Sequence, residues 1–379
     1  MNMQAEYPAG WKGVASRFGG FWRYPDVKDY CFLVNPYFPT PELIEELKAM
    51  FKTLLTEYPS GMRYNAQFAA DMFGVPPRQI IPGNGASELI KLFMEDVKGN
   101  VGFVYPTFEE YPNRIAENRR VVYNPQNEGF RYTASDLIKF FSNKKISCIC
   151  LVNPDNPSGN MLTVEAVEEL ALWASRQSIK ILIDESFADF EDVDLRETLI
   201  QTELLAEYPN LYVIKSIGKS FGVPGCRLGV LASGDEEFIG WAKKKIAIWN
   251  INPFGEVFME IMPKYRADYE KGCDAIAAER NRFFAELSNI GFLKVFPSQA
   301  NYFLARVKPP FDATSLTNLL WENYKILLKD CSNKKGFPDS SYVRITVRDR
   351  NDNEMFVRTL DALMASMGPS PVEVHTPPR

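Results

Sequence analysis

The sequence predicts an α/β protein, with a mostly parallel sheet sandwiched by helices and a smaller α+β domain after it. Three observations lead to this fold class. Short apolar runs alternate with helical patterns over residues 79–245, which is typical of a parallel sheet covered on both faces. After residue 245 the pattern changes to longer helices and closely spaced strands. A length of 379 residues also exceeds one typical core and indicates about two domains.

The chain is expected to begin with an N-terminal arm over residues 1–40, which are rich in glycine, proline and aromatic residues and lack a sustained period. A helix is expected over residues 40–55, because Pro41 suits the first helical position. Another is expected over residues 63–73, where Gly74 and two following prolines end it.

The large domain is expected over residues 41–245. Its expected strands are the apolar runs 79–82, 101–105, 146–152, 179–183, 211–214 and 227–232. Its further helices are expected over residues 88–96, 111–117, 164–176 and 238–248. Phosphate-sized ligands bind beyond the carboxyl ends of the strands in such sheets.

The smaller domain is expected over residues 246–367. It should contain one long helix over residues 256–287, and the remaining elements should be strands 292–295, 302–307 and 342–347 and helices 314–324 and 353–367. The proline-rich residues 368–379 are expected to form a disordered tail.

Composition excludes several classes of function. The net charge of −5 gives no reason to expect nucleic acid or an anionic membrane as a partner. The single histidine, His375, excludes Ser-His and Cys-His mechanisms and makes a metal site improbable. Six cysteines without a C-x-x-C pair, the lack of long apolar runs and the lack of a signal-peptide pattern predict free thiols and a cytoplasmic protein.

Two glycine- or proline-rich loops follow expected strands. Residues 83–87 precede a helix, and their small side chains would let backbone N–H groups approach an anion, although a plain glycine-rich cap is the alternative. Residues 153–159 contain two X-Pro bonds and a glycine, which can hold an asparagine side chain in a cleft or form a simple turn.

Two further strand ends carry charged side chains. Asp184 directly follows a buried strand, where a carboxylate is costly unless it meets a cation; a helix-capping aspartate is the alternative. Lys219 lies among small residues after the run 211–214, and burial there would free its amine for covalent chemistry. Ser216 and Arg227 flank it and suit an anion, although a strand-to-loop turn with two surface lysines is also compatible.

In this order the four loops resemble the fold-type I pyridoxal-phosphate enzymes, the aspartate-aminotransferase superfamily. They are most similar to its branch of histidinol-phosphate aminotransferases and threonine-phosphate decarboxylases. The resemblance runs from about Asn35 to Arg348. It implies a seven-stranded, mostly parallel sheet and pyridoxal 5′-phosphate as cofactor.

The resemblance assigns roles to the loop residues. Lys219 would form the internal aldimine and Asp184 would pair with the pyridinium nitrogen, which keeps the ring an electron sink. Asn156 would donate a hydrogen bond to the ring O3′ oxygen. The phosphate would be held by Gly85, Ala86, Ser87, Ser216 and Arg227.

Other site residues follow from the same resemblance. Phe108 would stack on the ring, and Arg344 would clamp the substrate carboxylate in a bidentate fork. Asn35 resembles an arm residue near the substrate. Tyr58 matches a tyrosine that reaches the phosphate of the neighbouring subunit, which implies a homodimer with shared sites.

Three positions depart from the family pattern. Phe187 stands beside the ring where the family often has tyrosine after Asp-x-Ala, and it cannot donate to O3′. Gly218 replaces a frequent serine, which would remove one phosphate contact. The stretch 18–20 resembles an altered His-Gly-Gly arm motif.

The leading functional hypothesis is an aminotransferase that acts on a small amino acid, including one bearing phosphate or phosphonate, with a 2-oxo acid as the second substrate. The second hypothesis is a decarboxylase of a phosphorylated amino acid, since both reactions start from the same adduct. The third is a non-catalytic cofactor-binding module, for which the aromatic arm and proline-rich tail would suit a piece of a longer chain. No stretch of the sequence specifies the substrate side chain.

Overall fold

The computed structural model describes residues 19–366, which contain two β-sheets. The strands are β1 (Lys28–Tyr30), β2 (Ile80–Asn84), β3 (Val101–Val104), β4 (Arg120–Tyr123), β5 (Cys148–Val152), β6 (Lys180–Asp184), β7 (Leu211–Ser216), β8 (Leu228–Ser233), β9 (Leu293–Val295), β10 (Tyr302–Val307), β11 (Ile326–Asp330) and β12 (Tyr342–Thr346). The large sheet has seven strands in the order β2-β8-β7-β6-β5-β3-β4. The small sheet has five strands in the order β1-β11-β12-β10-β9.

The α-helices cover both faces of the large sheet and one side of the small one. They are α1 (Pro41–Ala49), α2 (Phe51–Thr56), α3 (Met62–Phe73), α4 (Ala86–Asp96), α5 (Glu110–Asn113), α6 (Ala134–Phe141), α7 (Val164–Ser175), α8 (Thr202–Glu207), α9 (Ile217–Ser220), α10 (Glu236–Lys245), α11 (Pro253–Ile261), α12 (Arg266–Leu287), α13 (Ala313–Tyr324) and α14 (Arg350–Ser366). Within residues 19–366, no helix combines the length and the apolar character that crossing a membrane requires.

The large sheet is mostly parallel, which confirms the predicted fold class. Strands β4, β3, β5, β6 and β7 run parallel, and β8 is antiparallel to both β7 and β2. Ile181, Leu182 and Ile183 of β6 are all fully buried, as expected for a strand covered on both faces. The carboxyl ends of β5, β6 and β7 therefore lie side by side at one edge of the sheet.

Three helix predictions need correction. The expected helix 256–287 is interrupted by a 3-10 turn over Met262–Tyr265, because Pro263 cannot donate a backbone hydrogen bond. The expected helix 40–55 divides at Met50, whose backbone lies near φ −95° and ψ 0°. The expected helix 111–117 is one short turn, α5, followed by a 3-10 turn over Glu117–Arg119.

The small sheet includes two strands that were not predicted, β1 and β11. Strand β1 lies within the expected arm and pairs in parallel with β11, so Lys28 lies opposite Ile326. The pairing is reinforced by Lys28 Nζ, which lies 2.8 Å from Asp352 Oδ1, and by Thr346 Oγ1, which donates to Tyr30 O at 2.6 Å. The arm is thus anchored to the small sheet from residue 28 onward. The expected tail and Phe18 lie outside the described residues.

All six cysteines are free, as predicted, and four of them are buried. Burial raises the pKa of the Cys226 thiol to about 11 and that of Cys148 to about 12. These thiols therefore stay protonated near neutral pH and pack as small apolar groups.

Candidate active site

The backbone brings three of the predicted loops together at the carboxyl edge of the large sheet. Asp184, the last residue of β6, pairs with Val152 on one side and with Ile214 on the other. Beyond the strands, the Asn153 amide donates to Asp184 O and the Glu185 amide donates to Ile214 O, both at 2.8 Å. The asparagine loop, the aspartate and the lysine loop are therefore fixed next to one another.

Asp184 is buried, with only 4% of its surface exposed, and is surrounded by hydrogen-bond donors. Tyr111 Oη donates to Oδ2 at 2.8 Å, the Ser186 amide donates to Oδ1 at 2.9 Å, and the Ser186 hydroxyl also donates to Oδ1. Burial raises the pKa of Asp184, whereas these donors lower it. A buried carboxylate held in this way fits a cationic ring nitrogen as partner.

Lys219 occupies the short helix α9 directly after β7. Burial and the charges of Arg344 and Arg227 together lower the pKa of its amine to about 8, against the opposing effect of Asp184. The amine is therefore available in its neutral, nucleophilic form near physiological pH. Asn35 holds the end of this helix, because its backbone N–H donates to Lys219 O and its side-chain amide donates to Ser220 O, both at 3.0 Å.

The glycine loop and Arg227 form one anion-binding region at the start of α4. Gly85 has φ 71°, and a Cβ added there would lie 2.6 Å from Arg227 Nη2, so the guanidinium lies directly over this backbone. Gly229 of β8 permits the close approach, because a Cβ there would lie 2.4 Å from the Ala86 nitrogen. Helix α4 then offers the free N–H groups of its first turn, including that of Ser87, to a phosphate.

The structure gives a steric reason for Gly218. A Cβ at this position would lie 2.9 Å from Pro224 Cα, which is closer than real Cβ contacts come. A serine therefore does not fit between α9 and the Pro224 turn without a backbone shift. The packing of this loop therefore explains why this chain has glycine at position 218, where the family often has serine.

Arg344 of β12 reaches the site from the small sheet. Its Nη1 donates to Asn156 Oδ1 at 2.8 Å, and its Nη2 donates to Cys31 O at 2.5 Å. Its Nε is buried and has no hydrogen-bond partner among the described residues. A buried donor without a partner is costly, so an anionic ligand atom would be stabilised there. The predicted substrate arginine and the predicted O3′ residue are thus in direct contact.

The predicted aromatic residues lie in different environments. Phe187 is buried and packs edge-on against Tyr302, with ring centroids 5.1 Å apart. Phe108 is 40% exposed, and its ring meets that of Tyr111 edge-on with centroids 6.2 Å apart. Tyr58 is 79% exposed and packs on Trp249 at 4.6 Å.

Sequence reasoning missed a buried polar network behind the lysine. Lys215, which is 2% exposed and so not a surface lysine, lies 2.8 Å from Asp189 Oδ1 and 3.2 Å from Glu185 Oε1. Ser220 Oγ donates to Asp189 Oδ2 at 2.6 Å, which ties the network to α9. Tyr111 and Ser186 were missed as well. The only available signals were the closeness of Tyr111 to Phe108 and of Ser186 to Asp184 along the chain.

These residues fit pyridoxal 5′-phosphate. Asp184 offers a carboxylate to the ring nitrogen, Lys219 offers a neutral amine, and the backbone beneath Arg227 offers N–H donors to a phosphate. Arg344 Nε, which is buried without a partner among the described residues, would donate to an anionic group of the bound molecule, and the partly exposed ring of Phe108 is available for stacking. The cluster therefore has the chemical groups that the predicted cofactor requires.

Comparison with known proteins agrees with this fit. The family model "Aminotransferase class I and II" matches residues 38–360. An L-serine phosphate decarboxylase from Sulfurospirillum multivorans is 31% identical, over 89% of this chain and 88% of its own length. A CMP-5′-(3-aminopropyl)phosphonate synthase from Streptomyces rubellomurinus is 30% identical over 91% of this chain, which spans only 54% of that relative.

Solved structures show the same architecture. A decarboxylase from Sulfurospirillum multivorans has a TM-score of 0.79 at 27% identity and covers 92% of this chain and 98% of its own. The histidinol-phosphate aminotransferase from Clostridium acetobutylicum has a TM-score of 0.79 at 26% identity, with coverages of 90% and 100%. The chain therefore belongs to the class I and II aminotransferase family of fold-type I enzymes, with pyridoxal 5′-phosphate as its cofactor.

Proposed function

We propose that the protein is a pyridoxal-phosphate-dependent decarboxylase of an amino acid whose side chain carries a phosphate or phosphonate. This is the second of the predicted reactions, and the comparisons favour it over transamination. Similar curated proteins include two L-serine phosphate decarboxylases and a threonine-phosphate decarboxylase, from Sulfurospirillum multivorans, Campylobacter jejuni and Salmonella typhimurium.

The observation that carries the proposal is a pair of like charges on adjacent strands. Lys329 of β11 lies directly opposite Arg344 of β12, so their side chains leave the same face of the sheet. Like charges directly opposite each other destabilise a pair of strands, and an anion bound between them would offset that repulsion. A bound phosphate, with close to two negative charges, would offset this repulsion better than one carboxylate.

A third cation adds to the positive potential at this edge. Burial lowers the pKa of Lys334, and the charges of Arg344 and Lys329 lower it further, while Glu109 at 3.6 Å acts in the opposite direction. These three side chains therefore lie within each other's electrostatic field. Glu109 balances Lys334 in part, so Arg344 and Lys329 supply the positive charge that a doubly negative phosphate would meet.

This placement bears on which bond of the substrate breaks. A carboxylate clamped by an arginine is stabilised in its charged ground state, which opposes its loss as carbon dioxide. If the cation pair instead holds a phosphate, the carboxylate is free to leave. The cofactor supplies an electron sink for the bond that breaks, and the Lys219 amine, with a pKa of about 8, can hold and release a proton near neutral pH.

The test is incubation of the cofactor-loaded protein with L-serine phosphate or L-threonine phosphate, with and without a 2-oxo acid. Release of carbon dioxide and of a phosphorylated primary amine, without need for a 2-oxo acid, is the expected result. L-serine serves as the control and should react much more slowly. Amine transfer that depends on a 2-oxo acid, without carbon dioxide release, would overturn the proposal.

The aminotransferase hypothesis is the second candidate. The Arg344 contact with Asn156 places a guanidinium next to the predicted ring-oxygen site, where an α-carboxylate could bind. The likeness to the Clostridium acetobutylicum histidinol-phosphate aminotransferase points the same way. Cofactor binding without either reaction would favour the third hypothesis, a non-catalytic module.

A further inference from the structure

Ser186 links two parts of the site that hold opposite ends of the cofactor. Its hydroxyl donates to Asp184 Oδ1 and accepts from the Ser216 backbone N–H at 2.8 Å. Ser186 is buried, so water does not compete for these bonds. One hydroxyl group therefore connects the carboxylate predicted to face the ring nitrogen with the backbone of the residue predicted to hold the phosphate.

Counting acceptor positions shows what this contact does to Asp184. A carboxylate oxygen accepts about two hydrogen bonds. The Ser186 N–H and O–H groups occupy both positions on Oδ1, whereas Tyr111 occupies one position on Oδ2. The position left for a ring N–H donor is therefore on Oδ2, and the carboxylate cannot rotate without breaking bonds at both oxygens.

The hydroxyl also changes the basicity of the carboxylate. Burial raises the pKa of Asp184, and the Ser186 hydroxyl is the strongest of the groups that lower it. Without that donor, Asp184 would be a stronger base and would draw the ring proton toward itself. The family often has alanine here, followed by tyrosine, so this chain has an added hydroxyl at Asp184 and lacks the tyrosine hydroxyl at Phe187, which the resemblance places near the ring oxygen.

We propose that Ser186 is a positioning residue that aims Asp184 at the ring nitrogen through Oδ2 and fixes Ser216 in register with it. The inference rests on the proposed function only in that the site must bind its cofactor. It holds for decarboxylation and for transamination alike. In this role Ser186 affects the electronic state of the ring through Asp184 and does not contact the substrate.

The test compares Ser186→Ala with the parent by pH titration of the absorbance of the bound cofactor. A more basic Asp184 leaves the ring less positive, so the nitrogen contributed by Lys219 should keep its proton to higher pH. The midpoint of this absorbance titration should therefore rise by roughly half to one pH unit in Ser186→Ala. The cofactor dissociation constant should rise about tenfold, as expected from the loss of a hydrogen bond to a charged group.

Two controls make the result specific. Ser233→Ala removes another buried serine of the same sheet, with a 2.7 Å bond to Leu211 O, and should leave the midpoint unchanged. With a cofactor analogue that carries CH in place of the ring nitrogen, the midpoints of Ser186→Ala and the parent should coincide. If Ser186→Ala is insoluble, Ser186→Cys carries the same test, because a thiol is a much weaker donor.

The outcomes separate this inference from the proposed function. A parent protein that shows the cofactor band, with an unchanged midpoint and affinity in the soluble Ser186 variant, would overturn the role of Ser186 alone. A parent protein with a normal band but no reaction on phosphorylated amino acids would contradict the proposed function and leave this inference standing.

Discussion

Lys219 illustrates how one buried amine affects both chemistry and stability. Its pKa is about 8 in the folded chain against 10.5 for an ordinary lysine, so the unfolded chain binds more protons between these values. The unfolding free energy of the cofactor-free protein should therefore increase as the pH rises from about 8 toward 10.5. Below about pH 8 the amine is charged in both states, so the full cost of burying that charge lowers the unfolding free energy.

Replacing the amine should remove this pH dependence. We expect Lys219→Met to raise the unfolding free energy of the cofactor-free protein near pH 7 by about 2 kcal/mol, and to abolish the cofactor band. Urea unfolding at several pH values measures the first effect. Lys308→Met, at an exposed site, is the control and should follow the parent. Parallel pH profiles for parent and Lys219→Met would contradict the assignment.

The paired cations yield a second prediction at the residue scale. Lys329→Gln should raise the KM for L-serine phosphate roughly tenfold to hundredfold, because one charge-assisted contact to the phosphate is lost. Steady-state kinetics and competition by inorganic phosphate both measure the effect. Lys308→Gln makes the same change at an exposed position of the small domain and should keep the parental KM. A parental KM in Lys329→Gln would place the phosphate elsewhere.

The sequence singled out Asp184 and Lys219 because each closely follows a recognisable strand, whereas Asn156 and Arg344 were assigned by the resemblance to the family. It did not predict Tyr111 as a partner of Asp184, since the two are 73 positions apart and only the fold brings them together. Long-range hydrogen bonds leave no local pattern in a sequence. The chemistry of the site was therefore more predictable than the contacts that tune it.

Among the elements, the apolar strands of the large sheet were predicted, whereas β1, β4 and β11 were missed. Strands β5 and β6 are continuous apolar runs, which predict buried strands directly from the sequence. The missed strand β4 is only half-buried along its length, and β1 depends on a partner far along the chain. Pairing stabilised such segments where the apolar pattern was weak.

The loop around α9 permits a test of close packing. Gly218→Ser introduces the side chain that relatives often carry, but here it meets Pro224, so the unfolding free energy should fall by about 1–3 kcal/mol. Cofactor affinity should fall with it, because the lysine helix must shift. Urea unfolding and cofactor titration measure both. Gly240→Ser, at a helix position with open space around it, should be nearly neutral. Tighter cofactor binding in Gly218→Ser would show that the hydroxyl reaches the phosphate after all.

At the scale of the whole molecule, an exposed aromatic surface favours the predicted homodimer, which we retain as a proposal. Tyr58 and Trp249 pack together while strongly exposed, and Phe51 and Phe254 form a second pair at 5.8 Å. Exposed apolar surface of this kind marks interaction sites. A second copy of this chain would cover it and could bring Tyr58 to the neighbouring phosphate site.

Mixing two inactive variants tests shared sites. If Tyr58 acts across the interface, hybrids of Lys219→Ala and Tyr58→Ala subunits contain one intact site, and activity should reappear on mixing. If Tyr58 acts within its own subunit, every site in the hybrid keeps a defect and no activity is gained. Sedimentation measurements on each variant establish that subunits associate in both cases.

The pairing of β1 with β11 has a consequence for synthesis on the ribosome. The contact between Lys28 and Asp352 joins residues 324 positions apart, so the first strand emerges long before its partner. The seven strands of the large sheet are complete by Ser233, whereas the small sheet cannot close until Thr346 has been translated. The nascent protein should therefore pass through a stage in which the large sheet is folded and the arm is still accessible to protease. Arg344 would reach Cys31 and Asn156 only after β12 has emerged, so competence to bind substrate would arise after the large sheet has folded.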